Sequence, residues 1–226
     1  MMLAYFDQFA SPTLLGLPLV LPALAAPFML LPTTKRLIQN RMATLTSNTI
    51  LMITKQIFQP LRPEGHKWAA TYTTLLLLIL SMNLMGLLPY TFTPTTQLSI
   101  NMSMALPMWL STVLIGLRKR TNDTLSHMLP EGTPGPLIPM LIMIETISLL
   151  IRPLALAVRL TANLTAGHLL LQLTSSATLY ALQLNVAPFA LLTITLLLLS
   201  LLELAVAFIQ AYVFVLLLSL YLQENT

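Results

Sequence analysis

Residues Glu145–Gln172 read ETISLLIRPLALAVRLTANLTAGHLLLQ, an apolar run that nevertheless carries Glu145, Arg152, Arg159, Asn163, His168 and Gln172. An arginine at membrane depth costs at least ~2.5–3.5 kcal/mol on insertion scales, so it faces protein or a wet cavity. Arg159 has no carboxylate within Leu156–Leu160, and its nearest acid in sequence is Glu145. Its partner is therefore expected on another helix or another chain.

Working outward, the whole chain has this character. Of 226 residues, 56% are hydrophobic and 8% charged, and the mean hydropathy is +0.82. A soluble domain carries about 25% charged residues. The fold class expected is an all-α polytopic membrane protein, with its apolar surface turned to lipid and to neighbouring helices. The net charge of +4 does not point to nucleic acid, because the charges are few and lie between apolar segments. Cysteine is absent, which excludes disulfides and thiolate metal sites. No cleavable signal or Arg-rich transit segment is read at the start.

Residues 12–32 form an apolar run about long enough to span, interrupted by Pro18, Pro22 and Pro27, so a kinked first spanning helix is expected. Residues 33–67 carry Lys35, Arg36, Arg41, Lys55, Arg62 and Lys67 among Leu, Ile and Met. Leu37, Ile38, Leu45, Met52 and Ile53 recur near helical spacing, which predicts an amphipathic helix over 34–58 on the membrane surface; a soluble loop helix is the plain alternative. Pro60 and Pro63 end it. Residues 68–88 and 97–117 read as a spanning hairpin, with Pro107 in its second arm and Trp68, Tyr72 and Tyr90 suited to the interfaces. A Pro/Gly-rich loop follows over 121–136.

Residues 137–173 and 188–222 are each longer than one upright crossing needs, which predicts a long, tilted antiparallel hairpin. Its uncharged connection is expected over 174–187. The 137–222 hairpin brings the count to about five membrane-embedded helices, plus the surface helix, in a single membrane domain over 1–226. Nine of eleven Lys and Arg lie in 33–67 and 118–120. By the positive-inside rule these regions face inward and the N-terminus outward.

At 100° per residue, Glu145, Ser148, Arg152, Arg159 and Asn163 fall within about 60° of one another, a polar stripe on one helix face. Ala155, Ala162, Ala166 and Gly167 on or near that face allow close approach by another helix. The stripe reads as a contact surface for a moving acidic partner, or more plainly as packing against neighbours. Arg152 precedes Pro153 and can equally serve a kinked backbone. His168 and Gln172 point some 140–180° away from the Arg159–Asn163 face. Glu203 and Gln210, seven apart, share a face of the last helix. In an antiparallel hairpin His168 and Glu203 can meet, as a proton relay or as a pair that only fixes register. Glu145 lies ~21 Å along the helix on the other side of Arg159. An acid, an arginine and a His–Glu pair in that order suggest two aqueous half-paths separated by a fixed positive charge. His66 and His127 read as solvated. His168 has no third partner for a zinc site, and no phosphate loop, catalytic triad or cofactor fingerprint appears.

The run RPLALAVRLTANLTAGHLL resembles the signature of the membrane subunit a of F-type ATP synthases, in its animal mitochondrial form. SMNLMGLLPYTFTPTTQLSINMSMALPMWL and the ending with Glu203 and Gln210 are similar to the same family, so nearly the whole chain is covered. The resemblance implies a proton-translocating F0 subunit of the mitochondrial inner membrane that binds no nucleotide and no cofactor. It implies partners: a rotating ring of c subunits with membrane carboxylates, peripheral-stalk subunit b, small membrane subunits, lipid, and a complex that can dimerise. It implies that Arg159 attracts the ionised ring carboxylate and blocks leakage between two half-channels. Glu203 and His168 then match the outer channel, Glu145 the inner exit, and Asn163 and Gln210 polar positions near the arginine. Bacterial members commonly carry the acid at the His168 position and the histidine at the Glu203 position. A transporter or channel using Arg159 as a binding charge, and a purely structural subunit of a respiratory complex, are the other classes; no matching half-helices or internal repeat favour the transporter.

Overall fold

The computed structural model describes residues 9–10, 12–14, 17–30, 40–59, 63–88, 91–119, 121 and 137–225. The loop over 122–136 and residues 34–39 of the expected surface helix lie outside them. Among the described residues the fold is all-α apart from one minimal antiparallel pair, β1 (Thr13–Leu14) with β2 (Leu17–Pro18). Helices follow as α1 (Val20–Leu30), α2 (Arg41–Phe58), α3 (Ala69–Gly86), α4 (Leu98–Lys119), α5 (Ile138–Leu184) and α6 (Val186–Asn225).

The first apolar run is not one helix over 12–32. Pro18 disfavours helical backbone at Leu17, and Leu17 pairs with Leu14 instead. Helix α1 begins only after Pro18 and is described over Val20–Leu30. Among the described residues four helices are long and apolar enough to cross: Gly65–Gly86, Leu98–Arg118, Ile138–Gln183 and Val186–Asn225.

The Ser/Thr-rich stretch expected as a connection is also helical. Helix α5 runs on to Leu184, and Asn185 alone separates it from α6. The hydroxyls of Thr174, Ser175, Ser176 and Thr178 each donate to a carbonyl of the preceding turn at 2.6–3.1 Å. A hydroxyl satisfied by its own helix no longer marks a loop. At 47 residues, α5 is about 70 Å long, and only tilt or projection beyond the hydrocarbon accommodates it. Pro153 lies inside it without ending it.

The chain groups into two compact units: Met1–Leu31, Leu77–Leu98 and Arg159–Tyr212 form the first, and Pro32–Leu76, Ser99–Val158 and Val213–Thr226 the second. In the first unit, α1 contacts the 3-10 turn Pro94–Thr96, and Ile79, Met82, Leu160, Leu164, Ala207 and Ala211 are buried. The α3–α4 turn is tight there: a Cβ on Gly86 would lie 2.6 Å from the Thr93 methyl. In the second unit, Phe58 at the end of α2 stacks at 6.1 Å on both His66 and Tyr72, and Leu156, Ala157, Phe214, Leu218 and Leu222 are buried. The other faces of α5 and α6 expose Leu150, Leu154, Leu170, Leu197, Leu201 and Phe208, as lipid-facing helices do.

Candidate functional site

The first unit contains the cluster that the sequence singles out around Arg159. Asn163 on α5 donates to the side-chain oxygen of Gln210 on α6 at 2.9 Å. Five residues further along α5, His168 Nδ1 stands 3.5 Å from Glu203 Oε1, seven residues back on α6. Moving forward on one helix and backward on the other is the antiparallel register expected of the hairpin. Glu203 and Gln210 are 5% and 6% exposed. Two buried polar side chains on one face of an apolar helix persist only where a neighbour meets them.

Helical angles alone place His168 about 140° from Asn163, and both nevertheless reach α6. Gly167 explains this. A Cβ on Gly167 would lie 2.9 Å from Glu203 Oε1, so the carboxylate occupies the space that any other side chain would fill. From there it comes within 3.5 Å of His168 Nδ1. Both Glu203 oxygens, His168 Nε2 and Gln172 Oε1 are buried without a hydrogen-bond partner among the described residues. A cavity of about 50 Å³ adjoins Glu203, lined by Asn163, Gly167, Glu203 and apolar side chains. It has room for a water or two.

Arg159 differs from its neighbours. It is exposed, and among the described residues it makes no hydrogen bond or ion pair. The next residue, Leu160, is 1% exposed, whereas Val158, Arg159 and Ala162 lie on the exposed side of the helix. An apolar helix that presents a bare guanidinium requires a partner outside this chain or a wet surface.

The second unit holds Glu145, Ser148 and Arg152. Arg152 Nη1 donates to Glu224 Oε2 at 2.8 Å, and Nη2 lies 3.9 Å from Glu145 Oε1. Its guanidinium also sits 5.3 Å from the Tyr221 ring centroid. Arg152 is thus bound to side chains of α6 rather than serving a proline kink. Ser148 is half-buried on the same helix. The sequence reading missed Glu224; the signal was an arginine needing an acid beyond Glu145. It also missed Asn83, wholly buried in α3, whose amide approaches the Ala207 carbonyl at 3.4 Å. The rule that flagged Asn163, a polar residue inside an apolar helix, would have flagged Asn83 too.

Comparison with known proteins identifies the family. The sequence profile of the family described as ATP synthase A chain matches residues 15–223. The chain is 63% identical to the ostrich (Struthio camelus) protein named ATP synthase F(0) complex subunit a, with both chains covered completely. Proteins of the same name from Coturnix japonica and Salmo salar are 64% and 59% identical, again over both full lengths. With the profile matched over nearly the whole chain and full-length relatives at about 60% identity, the chain belongs to the ATP synthase A chain family.

Proposed function

We propose that this chain forms two offset half-channels against a ring of c subunits, with Arg159 separating them, so that proton flow turns the ring and drives ATP synthesis. Membership of the family makes the chain a component of the F0 sector, the proton-translocating part of an ATP synthase. The finer reading rests on one observation above all: Arg159 is exposed and unpaired among the described residues. The described residues supply it no counter-charge, and a membrane carboxylate on a moving ring provides one.

The physics then orders the remaining residues. A proton enters from the outer side past Glu203 and His168 and neutralises a ring carboxylate. A neutral carboxyl can face lipid; an ionised one cannot do so cheaply. After nearly a full turn the site reaches the inner half-channel and releases its proton towards Glu145. The ionised carboxylate next meets Arg159, whose fixed charge also repels a proton seeking a direct path. Asn163 and Gln210, joined at 2.9 Å, hold α5 to α6 one turn from the arginine. Each charge crossing the full potential gains ~2.3 kcal/mol per 100 mV. The chain binds no nucleotide in this scheme. Peripheral-stalk subunit b and small membrane subunits hold it still, and the complex can pair into dimers. It lies in the mitochondrial inner membrane with its basic regions on the matrix side and its N-terminus on the other, following the charge asymmetry.

The test is ATP-driven proton pumping and ATP synthesis by the assembled complex in vesicles, wild type against Arg159→Ala and Arg159→Lys. Loss of both activities in Arg159→Ala, with assembly intact, is the expected result. Lysine keeps the charge without the planar fork and restores little. Unchanged coupled flux in Arg159→Ala would return the stripe to a packing role.

A further inference from the structure

We propose that Gly167 is a positioning residue, whose missing side chain is the seat of the Glu203 carboxylate and sets its reach to His168. This rests on the reading of Glu203 as a proton-carrying group. The nearest three atoms to a Cβ built on Gly167 all belong to the Glu203 side chain: Oε1 at 2.9 Å, Cδ at 3.2 Å and Cγ at 3.4 Å. What faces Gly167 is the carboxylate end of Glu203.

The space is specific as well. Glu203 is 5% exposed, and His168 Nδ1 stands 3.5 Å from its Oε1. A methyl group at 167 displaces the carboxylate into the adjoining cavity, whose lining, apart from Asn163 and Glu203 itself, is Leu, Val and glycine. That move separates the acid from the imidazole and leaves it among apolar groups, where an ionised carboxylate is disfavoured. Backbone conformation gives no reason for glycine here, since Gly167 lies within the regular helix α5. Alanine is the better helix former, so a loss on Gly167→Ala cannot be charged to a weakened helix.

The experiment compares four complexes in vesicles by ATP-driven proton pumping, with assembly checked for each: Gly167→Ala, Glu203→Asp, the two combined, and Glu203→Gln. The added methyl and the removed methylene compensate in volume. Gly167→Ala is expected to lower pumping about tenfold, and the combination with Glu203→Asp to recover a large part of it, a coupling that independent sites do not show. Pumping by Gly167→Ala within twofold of wild type overturns the proposal, as does a double variant no better than the worse single. Glu203→Gln separates the two readings. If it pumps normally, the role given to Glu203 fails; if it is inactive while Gly167→Ala is normal, only the seat fails.

Discussion

His168 and Glu203 meet across α5 and α6 at 3.5 Å, with the carboxylate 5% exposed and the imidazole side chain 19%. Neither is otherwise tied down: both carboxylate oxygens and the outer imidazole nitrogen lack a hydrogen-bond partner among the described residues. A pair that only fixed register would be expected to use those atoms, because buried polar groups in folded proteins are nearly always bonded. Free positions on both members suit groups that exchange protons.

The order of the pair along the chain is then of secondary importance, and exchanging its members tests that. Replacing Glu203 by Gln is expected to reduce coupled pumping by about 10²–10⁴-fold, the range typical of a positioned proton-transfer group. The exchanged variant, His168→Glu with Glu203→His, should recover a measurable fraction of it, since the contact and its chemistry persist. Pumping assays on assembled complexes decide this, and an exchanged variant as inactive as Glu203→Gln would show that position, not pairing, matters.

Asn163 and Gln210 form the other tie between the same helices, at 2.9 Å. Interhelical hydrogen bonds in membranes contribute about 0.6 kcal/mol on average, up to about 1.7. Asn163→Leu and Gln210→Leu should each weaken the assembled complex modestly. The double variant should cost less than the sum of the two, because each single change strands the partner's amide in an apolar site. Steady-state unfolding of the complex in denaturant gives the cycle; strict additivity would mean that the bond contributes nothing.

Much of this was legible beforehand, and the exceptions have physical causes. The polar residues inside apolar runs located Arg159, His168, Glu203 and Gln210 correctly on two long helices, because membrane burial of polar groups leaves a strong mark on composition. The 174–187 stretch misled because Ser and Thr are ambiguous: they mark loops in water, yet in α5 they bond back to their own helix. Residues 12–32 misled because composition registers apolar length but not the break that Pro18 imposes. His168 and Asn163 are about 140° apart round α5, yet Gly167 lets the Glu203 carboxylate come to the helix between them.

Asn83 contributes a tie that no pattern of charge announced. Its amide lies 3.4 Å from the Ala207 carbonyl, on the turn of α6 between Glu203 and Gln210, and its own oxygen is buried without a partner among the described residues. Asn83→Leu, similar in volume but apolar, removes the weak donor and the stranded acceptor together. Stability should therefore change little, since replacing an imperfectly satisfied polar group by an apolar one of like shape is close to neutral. Denaturant midpoints of the assembled complex are the measurement; a large destabilisation would mean that the 3.4 Å contact is a strong one.

Arg152 and Glu224 show how differently two arginines on one helix can be used. Arg152 is bound by Glu224 at 2.8 Å and lies over Tyr221, whereas Arg159 has no partner among the described residues. The Arg152 ion pair is partly exposed, with side chains 29% and 58% accessible, so its contribution to stability is small and salt-dependent. Its consequence is local: it fastens the last turns of α6. Next to it, a Cβ on Gly116 of α4 would lie 2.9 Å from Asn225 Oδ1, so the same end is also held from a second helix. Glu224→Gln should therefore leave global stability nearly unchanged while amide exchange over residues 219–225 speeds up by about three- to tenfold, as expected when a terminal segment opens more often. It should lower coupled pumping at most a few-fold, because the remaining carboxylate near Arg152, Glu145 at 3.9 Å, is drawn closer to the guanidinium and gives up its freedom. Hydrogen exchange read by mass spectrometry separates this from a role in the proton path. Abolished pumping with unchanged exchange would make Glu224 a proton carrier rather than a fastening.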